Sequence, residues 1–255
     1  MKVDDLTAVI LTHNEEEKIQ GCIESLDFCR EIIVIDDNSN DKTRKIASEC
    51  SAKVYEHKLS GDFANQRNWA LDKVQTKWTL FVDADEIVTK ELAVEIVEQL
   101  KNCQDDGFYL TRQDLFLGKN LKYGDSGSFC AIRLGRTRSG VWKGQVHEIW
   151  DIKNAVKTLG NPLLHQPHDN VSKMVDTINF YSTLRANELW SEKITSHWYD
   201  ILIFPGAKFC QNYIVRQGFR DGSRGMAHAI LMSFYSYLVR SKLYLLNRKN
   251  PKYDK

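Results

Sequence analysis

The sequence predicts an α/β protein, with a mostly parallel central sheet covered by helices on both faces and a helical, basic and aromatic segment at the C-terminus. Three observations lead there. From Thr7 to Asn102 short apolar runs alternate with amphipathic helical stretches. Three of the four apolar runs end in a polar cluster rich in carboxylates. After Gly107 the alternation gives way to a Gly-rich, polar stretch and then to long helical periodicity. Strands alternating with helices call for a parallel sheet buried on both sides.

Thr7–Leu11 (TAVIL) has the continuous apolar character of a buried parallel strand. Ile19, Cys22, Ile23 and Leu26 follow at helical spacing and form one apolar face. Glu31–Ile35 is the next strand, Thr43–Ser51 a second helix and Lys53–His57 a third strand. Asp62 is placed to cap a helix running to Lys73. Trp78–Val82 (WTLFV) is a fourth strand, and Thr89–Asn102 a helix with Leu92, Ile96 and Leu100 inward. Phe108–Leu110 reads as a strand, Asp114–Ser139 shows few clear elements, and Val141–Trp150 alternates weakly as a strand would. Asn170 is expected to cap a long helix whose apolar face holds Val171, Met174, Val175 and Ile178, and Gly225–Leu246 to be helical.

A length of 255 residues fits one large domain or a domain with an appendage. Hydrophobic content of 42% and a mean hydropathy of −0.43 describe an ordinary globular chain. The start does not read as a signal peptide, because Asp4 and Asp5 stand where basic residues belong. No run approaches the roughly 20 apolar residues of a membrane-spanning helix. The six cysteines form no Cys-x-x-Cys pair, and reduced thiols in a cytoplasmic protein are expected. The net charge of +1 conceals an asymmetry, since residues 201–255 hold ten Lys/Arg against two Asp/Glu. A basic tail on an acidic body points to an anionic surface. The acidic body and the lack of a recognised motif argue against nucleic acid.

The polar clusters carry the chemistry. Thr12-His13-Asn14-Glu15, Asp36-Asp37-Asn38-Ser39 and Asp83-Ala84-Asp85-Glu86 each follow an apolar run. Right-handed βαβ winding brings such strand ends to one sheet edge, where ligands of open α/β sheets bind. Taken singly, each is an ordinary turn or helix cap. Together they gather several carboxylates whose repulsion asks for a cation or a donor-rich ligand. Hard oxygen ligands suit Mg²⁺ or Mn²⁺, which reach proteins through one or two carboxylates plus substrate phosphates. Asp37 or Glu15 has the chemistry to accept hydrogen bonds from a nucleobase or ribose. No P-loop or dinucleotide glycine motif is present.

AVILTHNEEEKI, EIIVIDDNSNDKT, FANQRNWAL and LFVDADE, spanning about residues 6–100, resemble the inverting family-2 glycosyltransferases of the GT-A fold. The DADE form, the FANQRN segment and Val146-His147-Glu148 are similar to the small bacterial enzymes that glucosylate the lipopolysaccharide inner core. The resemblance implies that Thr12, Asn14 and Glu15 line a nucleotide pocket, with Asp37 on the base and Gln66 and Arg67 near ribose and diphosphate. It also implies that Asp83, with Ala84, reaches the ribose or a metal-bound water, and that Asp85 ligates Mg²⁺ or Mn²⁺. Inverting transfer needs a carboxylate base. This chain lacks the Glu-Asp pair that many relatives place beyond the aspartates, so Glu148 is the first choice of base and Asp125 the second. Of His147, His165 and His168, the resemblance favours His165 as a further metal ligand. Lys143, Arg136 and Arg138 are candidates to meet diphosphate or an anionic acceptor.

The expected division is a GT-A domain over residues 1–200 and a helical extension over 201–255. Within the domain, residues 1–106 bind the nucleotide-sugar and 107–200 serve the acceptor and catalysis. The leading function is transfer of a sugar, expected to be glucose from UDP-glucose, to a hydroxyl of a lipopolysaccharide core or other lipid-linked glycan. Expected partners are the donor, that acceptor and an anionic membrane surface met by the C-terminal segment, with no nucleic acid. The expected location is the cytoplasm, with peripheral attachment to the inner face of the cytoplasmic membrane. Two alternatives stay open: a polyprenyl-phosphate glycosyltransferase, whose ionised acceptor needs no base, and a non-catalytic nucleotide-binding scaffold on the same fold.

Overall fold

The computed structural model describes residues 2–101, 103–125, 129–145, 148–154, 156–166 and 171–248. Val146, His147, His168 and the cap expected at Asn170 lie outside the described residues. The chain separates into two compact units, one of residues 1–113 and 129–166, the other of residues 114–128 and 167–255.

In the first unit the alternating elements fall where the apolar periodicity puts them: β1 (Val3–Thr12), α1 (Ile19–Glu24), β2 (Cys29–Asp36), α2 (Thr43–Glu49), β3 (Lys53–Glu56), α3 (Phe63–Leu71) and β4 (Trp78–Asp83). After them come β5 (Glu86–Ile87) and α4 (Lys90–Leu100). Asp62 caps α3 by accepting from the Asn65 N–H at 2.9 Å, and Thr89 caps α4 through the Leu92 N–H at 3.1 Å. The four parallel strands stand in the order β3-β2-β1-β4, so the winding reverses at β1. That reversal is the switch point at which open sheets bind ligands.

Both faces of these strands are buried, which explains their unbroken apolar runs. Ala8, Ile10, Leu80 and Val82 point to one side, against Ile19, Cys22, Leu26, Leu92 and Ile96. Val9, Leu11, Ile33, Ile35 and Phe81 point to the other, against Ala64, Ala70, Trp142 and Trp150.

The later half departs from the sequence reading in three places. The strand expected at Phe108–Leu110 is longer, β6 (Gly107–Phe116), and β7 (Lys119–Asn120) folds back on its end. The stretch read as irregular contains β8 (Cys130–Arg136), which lies in the sheet between β4 and β6 and antiparallel to both. Its pattern is broken by Arg133 and Gly135, both buried for reasons outside the strand. A Cβ on Gly135 would sit 2.5 Å from Ile152 Cδ1 and 3.1 Å from the Trp150 ring. The single strand expected over Val141–Trp150 is a two-stranded antiparallel hairpin, β9 (Gly140–Lys143) and β10 (Ile149–Ile152), forming its own small sheet. β11 (Val156–Thr158) pairs with β6, and β12 (Leu163–His165) pairs antiparallel with β5, placing His165 opposite Glu86.

The second unit is helical, with α5 (Val171–Ser191), α6 (Asp200–Cys210) and α7 (Ser223–Arg248). Ala186 and Leu189 of α5 pack with Val239 and Leu243 of α7, and Phe116, Leu121 and Met174 form a second small cluster. α7 is the helix expected over Gly225–Leu246, and α6, with Pro205 inside it, falls in the extension expected to be helical from residue 201, where no separate helix was delimited. Asp221 accepts from the Lys122 and Tyr123 N–H groups at 3.0 and 2.9 Å, tying the loop after β7 to this unit. Among the described residues no helix is long and apolar enough to cross a membrane.

Candidate active site

The C-terminal ends of β1, β2 and β4 meet at one edge of the sheet. In register Thr12 stands beside Asp36 and Leu11 beside Asp83. Backbone pairing continues past the strands, from the Asp37 N–H to the Thr12 carbonyl at 2.9 Å and from the Ala84 N–H to the Leu11 carbonyl at 3.3 Å. The three polar clusters picked out in the sequence therefore share one rim.

Beyond β1 the chain turns through Asn14 in the left-handed region, at φ 55°. There the Asn14 N–H donates to Ser39 Oγ at 2.9 Å, and its Oδ1 accepts from the Asn40 N–H at 2.8 Å. The Glu15 N–H donates to Thr43 Oγ1 at 2.8 Å, and its carboxylate lies 3.8 Å from Lys18 Nζ. Asn14 and Glu15 thus lock the loop after β1 to the loop after β2. Asp37 accepts from the Leu59 N–H at 2.9 Å through Oδ1, and its carbonyl lies 2.5 Å from His13 Nδ1. Thr12 Oγ1 is buried with no hydrogen-bond partner among the described residues.

The helix capped by Asp62 supplies two buried polar side chains. Gln66 donates to the His57 carbonyl at 2.7 Å. Arg67 spans two carboxylates, with Nε 2.7 Å from Glu148 Oε1 and Nη2 2.9 Å from Asp83 Oδ1. Its guanidinium is fixed over Trp142, 4.8 Å from the ring centre, and Trp142 stacks on Trp150. The β9–β10 hairpin thereby holds Arg67 flat between the carboxylates, and Arg67 Nη1 is buried without a partner among the described residues. Glu148, just before β10, keeps 14% of its side chain exposed.

Asp83 is held from the other side by Arg133, the buried arginine of β8, with Nη2 2.9 Å from Oδ2 and Nη1 3.3 Å from Oδ1. Nothing in the sequence singles out Arg133; an arginine within an apolar strand was the available signal. Burial alone would raise the Asp83 carboxyl, but Arg133 and Arg67 outweigh it and hold the group well below the usual carboxylate range. Buried Glu86 accepts from the Asp83 N–H at 2.9 Å and stays above its ordinary value, first through burial. Two arginines thus relieve much of the repulsion that the sequence reading left to a cation and a diphosphate.

Asp85 faces the last strand, with Oδ2 3.0 Å from His165 Nε2. Burial again opposes ionisation, and His165 outweighs it, so the Asp85 carboxyl lies below its ordinary value. A hard oxygen and an imidazole nitrogen at this spacing fit Mg²⁺ or Mn²⁺. Among the described residues no group of three or more His, Cys, Asp or Glu could hold a metal ion. The pair suits an ion that completes its coordination with water and diphosphate.

Other candidates lie elsewhere. Asp125 belongs to the second unit, where Lys208 Nζ at 2.8 Å, Asn212 and Arg216 engage its carboxylate. Arg136 stacks on Trp78, pairs with Asp106 at 2.9 Å and stands beside the first residue of β4, at the sheet edge away from Asp83. The exposed Arg138 follows in the turn after it. Lys143 pairs with Asp151 across the hairpin at 2.6 Å. The arginines that meet Asp83 at the rim are Arg67 and Arg133.

The chain is 26% identical over 251 residues to the lipopolysaccharide core biosynthesis glycosyltransferase LpsC of Rhizobium meliloti, covering 94% of this chain and 92% of that protein. It is 27% identical to an uncharacterized glycosyltransferase of Rickettsia bellii, over 93% of this chain and 85% of the relative. Its fold is similar to that of glucosyl-3-phosphoglycerate synthase from Mycobacterium tuberculosis, with TM-score 0.51 and 14% identity over 75% of this chain and 81% of the other. That likeness shows the GT-A arrangement expected from the sequence. The family model for glycosyl transferase family 2 matches residues 7–157, more than half of the molecule, and the chain belongs to that family.

Proposed function

We propose that this glycosyltransferase moves glucose, with inversion, from UDP-glucose to a hydroxyl of a lipopolysaccharide core or other lipid-linked glycan, in the cytoplasm at the inner membrane face. The similarity to LpsC over nearly the whole chain supports the acceptor class. One observation carries the chemistry. Arg67 joins Glu148 to Asp83, so a partly exposed carboxylate stands beside the strand-end aspartates. In this reading Thr12, Asn14, Glu15 and Gln66 shape the nucleotide pocket, Asp37 accepts from the uracil, and Asp83 with Ala84 meets the ribose. Residues 1–106 hold the donor, and 107–200 supply the base and meet the acceptor. Arg67, with an N–H left unpartnered among the described residues, donates to the diphosphate. Glu148 takes the proton of the attacking hydroxyl as the new glycosidic bond forms and the bond to the diphosphate breaks. Asp85 and His165 would hold Mg²⁺ or Mn²⁺, which would neutralise charge on the departing UDP. Asp125 is the weaker choice of base, because its carboxylate is committed to Lys208 and Arg216.

UDP release from UDP-glucose, with lipopolysaccharide core acceptor and Mn²⁺, tests this reading. Glu148→Gln is expected to slow release by more than tenfold, in line with the roughly 10²–10⁴ typical of general-base catalysis. EDTA or Asp85→Asn is expected to remove the metal-dependent rate. A Glu148→Gln enzyme as fast as wild type would point to an ionised acceptor such as a polyprenyl phosphate. Donor binding without turnover on any acceptor would leave a scaffold.

A further inference from the structure

We infer that the second unit docks on an anionic bilayer through one face of α6 and the turns that follow it. The inference deepens the proposed function, resting on it only for the purpose of docking, since the surface is read from this unit alone. α6 buries none of its eleven residues. At helical spacing, Tyr199, Ile203, Ala207, Cys210 and Ile214 form a stripe of exposed residues, with Trp198, Leu202 and Gly206 beside it. Trp198, Leu202, Ile203 and Ile214 are 66%, 68%, 60% and 59% exposed, and Val215 is 74% exposed. An apolar stripe this long on a surface marks an interaction site.

The surrounding charge selects the occupant. From Lys193 to Arg224 the chain carries Lys193, Lys208, Arg216, Arg220 and Arg224 against Asp200 and Asp221. Lys208 and Arg216 share the Asp125 carboxylate, so Lys193, Arg220 and Arg224 are the cations beyond that cluster. Asp221 is buried and committed to backbone N–H groups, and Asp200 accepts from the His197 N–H. A second copy of the chain would bring the same cations face to face across a two-fold interface, which is repulsive. Anionic headgroups would instead meet Lys193, Arg220 and Arg224 while Leu202, Ile203 and Val215 enter the acyl boundary and Trp198 and Tyr199 sit at headgroup level. The sequence alone assigned the anionic surface to the C-terminal segment as a whole, residues 201–255. α7 supplies much of the unit's core there, through Val239 and Leu243, and the apolar face lies earlier in the chain.

Flotation of the full chain tests this, using vesicles of phosphatidylglycerol mixed with phosphatidylcholine and vesicles of phosphatidylcholine alone. Binding to the anionic vesicles is expected, weakening as salt rises. The triple variant Leu202→Ser, Ile203→Ser, Val215→Ser is expected to bind at least about tenfold more weakly, since it strips exposed apolar surface only. Its thermal midpoint and its UDP release with a detergent-dispersed acceptor should match wild type, so a failure of docking is separate from a failure of the catalytic reading. Wild type that does not float, or a triple variant that floats like wild type, overturns the inference. Concentration-dependent dimers in light scattering that the same substitutions dissolve would assign the face to a second copy and overturn it equally.

Discussion

Arg133 is the side chain on which the rim depends. Buried in β8, it meets both oxygens of Asp83 and lies 3.8 Å from Glu86. Removing one member of a buried ionic set strands the others, at a cost of about 3–5 kcal/mol. Arg133→Ala is therefore expected to lower stability by roughly that amount, read as a shift in the denaturant midpoint at unchanged slope. Arg133→Lys keeps the charge but cannot engage two oxygens at once, and should recover only part of the loss. A Lys variant as stable as wild type would mean that the paired geometry is dispensable. The carboxylates of this site were legible in the sequence because they follow apolar runs at strand ends. Their counter-charges were not, because Arg67 reads as a solvated helix residue and Arg133 as an interruption of a strand. Both acquire meaning only when strands distant in sequence become neighbours.

Among the elements, the first four strands were legible for a physical reason: buried on both faces, they leave apolar runs that need no partner to be recognised. β8 was hidden because its two odd residues answer to distant elements. Gly135 leaves room for Ile152 and Trp150 of β10, and Arg133 answers to β4. Gly135→Ala would force a methyl against Ile152 and the Trp150 ring, so a loss of about 1–3 kcal/mol is expected from overpacking. The strain should reach the hairpin that holds Arg67 and Glu148, so activity should fall along with stability; loss of neither would show that β10 yields freely. A second element-level link joins α4 to the approach of β12. Glu95 accepts from the Gly160 and Asn161 N–H groups at 2.7 and 2.9 Å and from Asn161 Nδ2 at 2.8 Å. Burial would raise its carboxyl, but these donors outweigh it and hold the group below its ordinary value. A lowered carboxyl adds stability above the unfolded value near 4.3, and that contribution fades as pH falls through the folded value. Glu95→Gln should thus be less stable than wild type at neutral pH, by no more than about 1 kcal/mol because water screens this partly exposed carboxylate, with the gap closing in acid. A gap independent of pH would remove charge from the explanation.

At the scale of the whole molecule, two units with separate cores divide the work. The rim residues and the proposed metal pair belong to the first, and the exposed apolar stripe to the second. A ligand that binds only folded protein stabilises it by about 2.7 kcal/mol at a hundredfold excess over its dissociation constant. For a unit of this size that corresponds to roughly 5–10 °C. Mn²⁺ with UDP should therefore raise the melting of the first unit by several degrees. Either alone should raise it less, because among the described residues Asp85 and His165 offer the ion two protein ligands and the diphosphate would complete the set. Asp85→Asn should abolish the excess conferred by the metal while leaving the smaller effect of UDP, since Asp37 and Thr12 lie on other strands. Differential scanning calorimetry would also show whether the helical unit melts on its own and ignores the nucleotide. Equal stabilisation by UDP in Mn²⁺ and in EDTA would detach the metal from the donor and leave the Asp85–His165 pair as an ordinary ion pair.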